Sequence, residues 1–213
     1  MPSRRRTLLA AAALLVCAMA CHAAPEFNGQ SASPDAYAAA SWVLKVGDHQ
    51  GRPFAIVDKR DARVYVFDQD GHLLGAAAAL LGLTPGDRAP DDMAGRAPVS
   101  LTVAERTTPA GRFESQPGHN DKGEAIVWVD YEASLAIHRL RPAAGAERRA
   151  ARLASVTPDD NRISLGCIVV PVAFYENVVA PSLGQRRGVV YVLPEEGRAQ
   201  AMFDAITLSL LQR

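Results

Sequence analysis

A mainly β domain with short peripheral helices is predicted by three features of the sequence. Beyond Gly51 the chain carries β-branched and aromatic runs, Phe54-Ala55-Ile56-Val57 and Arg63-Val64-Tyr65-Val66-Phe67, separated by a short polar turn, and a further run at Ile126 to Tyr131. Helical spacing is confined to a few stretches at the periphery of that pattern. At 213 residues, with 48% hydrophobic and 22% charged content, the chain has the balance of a single folded domain, neither disordered nor membrane-spanning.

The N-terminus departs from that pattern. Arg4-Arg5-Arg6, the 13-residue apolar run Leu8 to Ala20 and the small-residue stretch that follows have the layout of an export signal, and the run is too short to span a bilayer. Residues 1–23 are read as that signal, 24–34 as a linker rich in Ser, Pro, Gly and Asn, and 35–213 as one domain with its core at about 54–193. Ala18-Met19-Ala20 lacks the leucine of a bacterial lipobox, which disfavours a lipidated Cys21.

Asp35 is expected to cap a helix running to Val46, with Tyr37, Ala40, Val43 and Leu44 near helical spacing. Two strands follow, joined by Asp58-Lys59-Arg60-Asp61, and Asp68-Gln69-Asp70-Gly71 turns the chain into Leu73 to Leu81. That second turn resembles the start of a calcium loop but lacks the closing glutamate, so it is read as a turn. Gly82 to Pro98, with three prolines and three glycines, reads as a long exposed loop. A second β region opens near Thr107, with strands around Ile126 to Tyr131 and Leu135 to His138. An arginine-rich segment from Arg139 to Arg162 contains a short helix at Glu147 to Leu153. Ile163 to Val170 is a strand interrupted at Gly166, Pro171 starts a helix, Val189 to Leu193 is the last strand and Ala199 to Leu211 the last helix.

Lysine plus arginine equal aspartate plus glutamate at 23 each, so no global field favours nucleic acid or an anionic membrane. Removing the export segment takes three arginines and no acid, which leaves a mildly acidic body. Cys17 and Cys21 fall in that segment, so Cys167 stands alone. A lone cysteine is either a small buried hydrophobe or a nucleophile, and Gly166 before it lets the thiol and neighbouring N–H groups converge on one spot. His138 is either a hydrogen-bonded structural residue or the base that deprotonates such a thiol. Ser164 is not a hydrolase elbow nucleophile, because Arg162 occupies the position that motif gives to glycine. His49, His72 and His119 sit in turn-rich contexts without metal-ligand spacing and are read as surface residues; no metal is expected.

Thr108-Pro109-Ala110-Gly111-Arg112-Phe113, then Ala136-Ile137-His138, then Ser164-Leu165-Gly166-Cys167-Ile168 resemble, in order, the signatures of the YkuD-type L,D-transpeptidase catalytic domain, over roughly Phe54 to Leu193. Leu165 stands where that family usually has histidine, Val169 where it has Arg or Asn, and the spacer from His138 to Ser164 is longer than usual. The resemblance implies a β-sandwich-like catalytic domain. It also implies a periplasmic or secreted enzyme with Cys167 as nucleophile, His138 as base and Gly166 at the oxyanion site. Ser164 and Arg139 would contact substrate, and no cofactor would be needed. The implied partners are peptidoglycan stem peptides, joined into 3–3 cross-links through a thioester; there is no nucleic-acid partner and no stable membrane insertion after signal cleavage. Trimming of tetrapeptide stems, a silent wall-binding module and a secreted thiol hydrolase of other peptides remain alternatives, and oligomeric state is open. Arg139, Arg141, Arg148, Arg149, Arg152 and Arg162 of the spacer are either a solvated face or a grip on peptide carboxylates.

Overall fold

The computed structural model describes residues 25–93, 95–142 and 145–212, so the export segment, with Cys17 and Cys21, lies outside the described residues. The strand-like runs form β1 (Phe54–Asp58), β2 (Arg63–Phe67) and β3 (Leu73–Ala78), an antiparallel meander. β4 (Leu81–Gly82) follows, then β5 (Gly111–His119), β6 (Ala125–Asp130), β7 (Leu135–Arg139), β8 (Arg162–Ser164), β9 (Ile168–Val170) and β10 (Gly188–Val192). Eight of them make one sheet in the order β3-β2-β1-β10-β5-β6-β7-β9, while β4 pairs with β8 alone. The sheet curls until its edges nearly meet: Leu80, past the end of β3, exchanges both backbone hydrogen bonds with Val169 of β9 at 2.8 and 2.9 Å. The chain is thus mainly β, with both halves of the sheet facing a common core.

That core explains why β1 and β10 read as unbroken apolar runs rather than alternating ones. Both strands are buried along their whole length. One face carries Ala55, Val57, Val190 and Val192 inward to meet Val127, Ile137 and Ile168. The other carries Phe54, Ile56, Val189 and Tyr191 against α1 (Pro34–Val46) and α4 (Ala199–Leu211), through Ala36, Ala40, Val43 and Phe203. Among the described residues no helix is long and apolar enough to cross a membrane.

Several local expectations are corrected. Ser33, not Asp35, caps α1: its Oγ accepts the Ala36 N–H at 3.0 Å and donates to Asp58, while Asp35 in the first turn pairs with Arg60 at 3.1 Å. The stretch read as a linker is strapped to the body. Phe27 is buried, its ring 5.3 Å from Tyr65 and 5.4 Å from Phe67, and Tyr65 Oη donates to Ser31 O at 3.0 Å. One aromatic anchor outweighs a linker-like composition, because burying a phenylalanine contributes about 1.5–3 kcal/mol. His49 is buried too, with Nε2 on Gln69 O at 2.9 Å and its ring 5.3 Å from Phe54. The Asp68 turn closes through Asp68 Oδ1, which accepts the N–H groups of Asp70 and His72 at 2.9 Å each. The spacer helix is shorter than expected: α2 is Arg149–Leu153, preceded by a 3₁₀ turn at Gly145–Glu147. Pro171 lies one residue before α3 (Val172–Phe174), which continues as a π turn over Tyr175–Val179.

Candidate active site

Ser164-Leu165-Gly166-Cys167 links β8 to β9, and its shape follows from one glycine and two hydroxyls. Gly166 has φ +135°, and a Cβ there would stand 3.1 Å from Thr107 O, so the sharp bend excludes larger residues. Ser164 Oγ donates to Cys167 O at 2.6 Å and accepts the Gly166 N–H at 3.1 Å. Thr108 Oγ1 accepts the Gly82 N–H at 2.8 Å and donates to Gly166 O at 2.7 Å. Ser164 is only 3% exposed and both its bonding directions are engaged inside the loop, which makes it a positioning residue rather than a substrate contact. The Gly166 N–H is likewise taken, by the Ser164 hydroxyl.

Cys167 is the free cysteine of the described residues and is half-buried. Its Sγ donates to Ser134 O at 3.5 Å and receives the Ala136 N–H. Ser134 closes the tight turn between β6 and β7 with φ +51°, a left-handed conformation that fixes where its carbonyl points. Burial pushes the thiol pKa up, while the Ala136 N–H and the charge of Arg141 act against that.

His138 lies across the β7–β9 ladder from Val169, with Ile137 opposite Ile168, so Cys167 is one diagonal step away. Ile137 and Ile168 belong to the inner core, and strand alternation turns His138 to the other face. Its Nδ1 donates to Arg139 O at 2.8 Å, which leaves Nε2 as the proton-accepting nitrogen. Burial drives the imidazole pKa down to about 4; the Arg139 carbonyl and Glu124 oppose this, and Arg141 and Arg149 add to it. No hydrogen bond joins Sγ to this ring among the described residues. At neutral pH the site holds a neutral thiol and a neutral imidazole.

That protonation state has a measurable consequence. The folded imidazole titrates near 4 against about 6.5 when unfolded, so the unfolded chain binds the extra proton first as pH falls. The contribution is complete above pH 6.5 and is lost between 6.5 and 4, on the order of 3 kcal/mol in all. Urea unfolding at pH 7.5 and 4.5 is expected to show a drop about 2–3 kcal/mol larger in the wild type than in His138→Gln. Equal drops in the two proteins would exclude a buried neutral imidazole.

Cys167 and Gly166 line a cleft of about 370 Å³, counting its open mouth, whose apolar walls include Met93, Leu101, Leu135 and Leu165. The long loop supplies the roof and is latched in place: Arg96 pairs with Glu105 through two bonds at 2.9 and 3.1 Å, and Glu105 also accepts from Thr102 N at 2.8 Å. Arg96 and Thr102 hold the Glu105 carboxyl down to about 2. Arg139, read as a substrate contact, is not among the cleft residues; it pairs with Glu124 at 3.1 Å and Glu176 at 3.6 Å. The structure therefore brings Cys167 and Gly166 together at the cleft, sets His138 on the neighbouring strand opposite Val169, two residues along from Cys167, and gives Ser164 and Arg139 internal hydrogen bonds and ion pairs.

Two features escaped the sequence reading. Thr108 reaches Gly166 from 58 residues away; the sequence reading placed it at the head of the first resembling motif but gave its hydroxyl no role. Lys59, read as part of a polar turn, is fully buried at the base of the loop, with Nζ on Gly86 O, Asp87 Oδ1 and Thr108 O.

No family model and no curated protein matches the chain. Solved structures do. The helical cell shape determining protein Pgp2 from Campylobacter jejuni aligns at 17% identity and TM-score 0.42, covering 79% of this chain and 62% of that one, so the chain spans less than two thirds of that protein's length. An L,D-transpeptidase (residues 123–326) from Xylanimonas cellulosilytica aligns at 16% identity and TM-score 0.41, covering 75% and 70%. The catalytic domain of the E. faecium L,D-transpeptidase aligns at 16% identity and TM-score 0.37, covering 67% and 98%. At these values each is a likeness of outline, and the chemistry rests on the residues described above.

Proposed function

We propose that this protein is an exported cysteine-dependent acyltransferase that acts on peptidoglycan stem peptides as an L,D-transpeptidase. The observation that carries the reading is the half-buried Cys167 thiol in the wall of an apolar cleft, diagonally across the strand pair from an imidazole whose Nδ1 is fixed on Arg139 O. The ordered sequence motifs around Thr108, His138 and Cys167 and the export-like N-terminus support it.

In this mechanism substrate entry expels water from the cleft and brings the reacting groups within hydrogen-bond reach. The Sγ proton passes to His138 Nε2, and the thiolate attacks the carbonyl carbon of the third stem residue. The negative charge that develops on that oxygen is met by the Cys167 N–H. Collapse breaks the C–N bond, the departing D-alanine amine takes the proton from His138, and a thioester remains on Sγ. The amine of a second stem then attacks the thioester, gives its proton to His138 and forms the new amide as the thiol is regenerated. Water in place of that amine yields a trimmed tripeptide instead.

Mass spectrometry of purified disaccharide-tetrapeptide incubated with residues 24–213 tests the reading. Cross-linked dimer that depends on Cys167 is the expected product. Tripeptide and free D-alanine without dimer would make the protein a carboxypeptidase, and no cysteine-dependent product from folded protein would overturn the enzyme reading.

A further inference from the structure

The six arginines between His138 and Ser164 are not equivalent in the fold. Arg152 bonds inward to Glu147 O at 2.9 Å and Asp160 O at 2.5 Å; Arg162 bonds to Lys59 O at 2.7 Å and to Glu195. Arg139 is held by Glu124 and Glu176. Arg141 and Arg149 engage their acids only through Nε, Arg141 with Glu124 at 2.6 Å and Arg149 with Glu147. Among the described residues, the Nη groups of both have no hydrogen-bond partner. The Arg148 side chain has no ion-pair or hydrogen-bond partner among them either. These three residues, and none of the inward-bonded ones, line a single open cleft of about 920 Å³ with its mouth, walled otherwise by apolar residues such as Leu140, Pro142 and Val172.

We propose that the cleft formed by Arg141, Arg148 and Arg149 binds the free carboxylates of a peptide substrate and so selects an anionic peptide for Cys167. Guanidinium edges left unpaired on one concave surface match the planar, two-oxygen geometry of a carboxylate, and the apolar walls suit the aliphatic stem behind it. The cleft starts two residues beyond His138. Arg141, three residues beyond His138 in the chain, lowers the pKa of both the Cys167 thiol and the His138 ring through its charge. Its contrast with the cysteine cleft is one of charge: there the carboxylate present, Glu105, is already latched by Arg96. The choice of a stem peptide as the ligand rests on the function proposed above; the carboxylate chemistry does not.

The test uses Cys167→Ala protein, so that binding is read without turnover. Calorimetry with the disaccharide-tetrapeptide is compared with the same muropeptide whose carboxylates are capped as methylamides, for the parent and for Arg148→Ala and Arg148→Lys. Among the described residues Arg148 has no side-chain partner to orphan, so its removal is expected to leave the fold intact, which matched thermal melts verify. Capping and Arg148→Ala are each expected to weaken binding about tenfold or more, with Arg148→Lys in between because it keeps charge but loses the fork. Equal affinity for free and capped peptide, or an Arg148→Ala affinity equal to the parent, overturns the proposal. Failure of the wild type to turn over muropeptide, alongside carboxylate-dependent binding, would sink the transpeptidase reading and leave this one standing.

Discussion

Cys167→Ala is expected to lower kcat/KM for muropeptide by three orders of magnitude or more, with a change in stability below about 1 kcal/mol. The asymmetry follows from the site. Sγ is half-buried and makes two weak contacts, 3.5 Å to Ser134 O and one from the Ala136 N–H, so its loss leaves little unsatisfied; the loop is held by Ser164 and Thr108 instead. A large fall in melting temperature together with lost activity would mean that Cys167 is a core residue and not a nucleophile. The pH dependence of thiol alkylation reads the same site independently. Burial raises the thiol pKa and lowers that of His138, so the free protein does not hold a thiolate–imidazolium pair at neutral pH. Alkylation by iodoacetamide should therefore keep rising with pH beyond 9, where the thiolate forms. A plateau reached near neutral pH would show a preformed ion pair and overturn the neutral one.

The parts of this fold written in local periodicity were readable, and the parts written in distant contacts were not. β1 and β2 were legible because residues buried on both sheet faces leave a continuous apolar run between turns. The cysteine loop was legible because glycine beside cysteine marks a bend that only glycine tolerates, which the approach of Thr107 O confirms. Ser164 read as a substrate contact because a hydroxyl beside a nucleophile suggests one, while the strand-to-strand link with a positive-φ glycine uses that hydroxyl to close itself. The linker reading failed at Phe27, where composition averaged away a single anchoring ring. The arginines of the spacer looked alike in sequence because their difference lies in acids contributed from elsewhere, Glu124 from before β6 and Glu195 from beyond β10. Lys59 ran against the ordinary rule that lysine in a turn faces water, and nothing near it in sequence shows the two acids that make its burial tolerable.

That lysine carries the largest stability effect expected here. Lys59 Nζ is fully buried with three acceptors within 3 Å, Gly86 O, Asp87 Oδ1 at 2.7 Å and Thr108 O at 2.9 Å, and Glu195 Oε2 at 3.7 Å. Three acceptors match the three donors of an ammonium, whereas a neutral amine would leave one acceptor without a proton. Burial draws the lysine pKa below its usual value while Asp87 and Glu195 resist; Asp87, opposed by its own burial, is held below the ordinary range by Lys59 and by the N–H groups of Glu195 and Glu196. Lys59→Met fits the volume but removes the charge, leaving Asp87 without its ion-pair partner and Glu195 with Arg162 alone. Breaking a buried pair from one side costs about 3–5 kcal/mol. In a domain of this size that is a fall in melting temperature of roughly 10 °C. Asp87→Asn added to Lys59→Met should recover part of the loss, since an amide needs no cation; a double variant no better than the single one would mean that the lysine acts through packing alone. The effect should also reach the chemistry, because the residue whose carbonyl Lys59 holds, Thr108, is the one whose hydroxyl holds Gly166 O. Well below the lowered melting temperature, where the variant is folded, its kcat/KM should still fall about tenfold or more, as expected when a catalytic loop loses its fixed geometry. Unchanged turnover in that folded variant would show that Thr108 keeps the cysteine loop in place without the lysine beneath it.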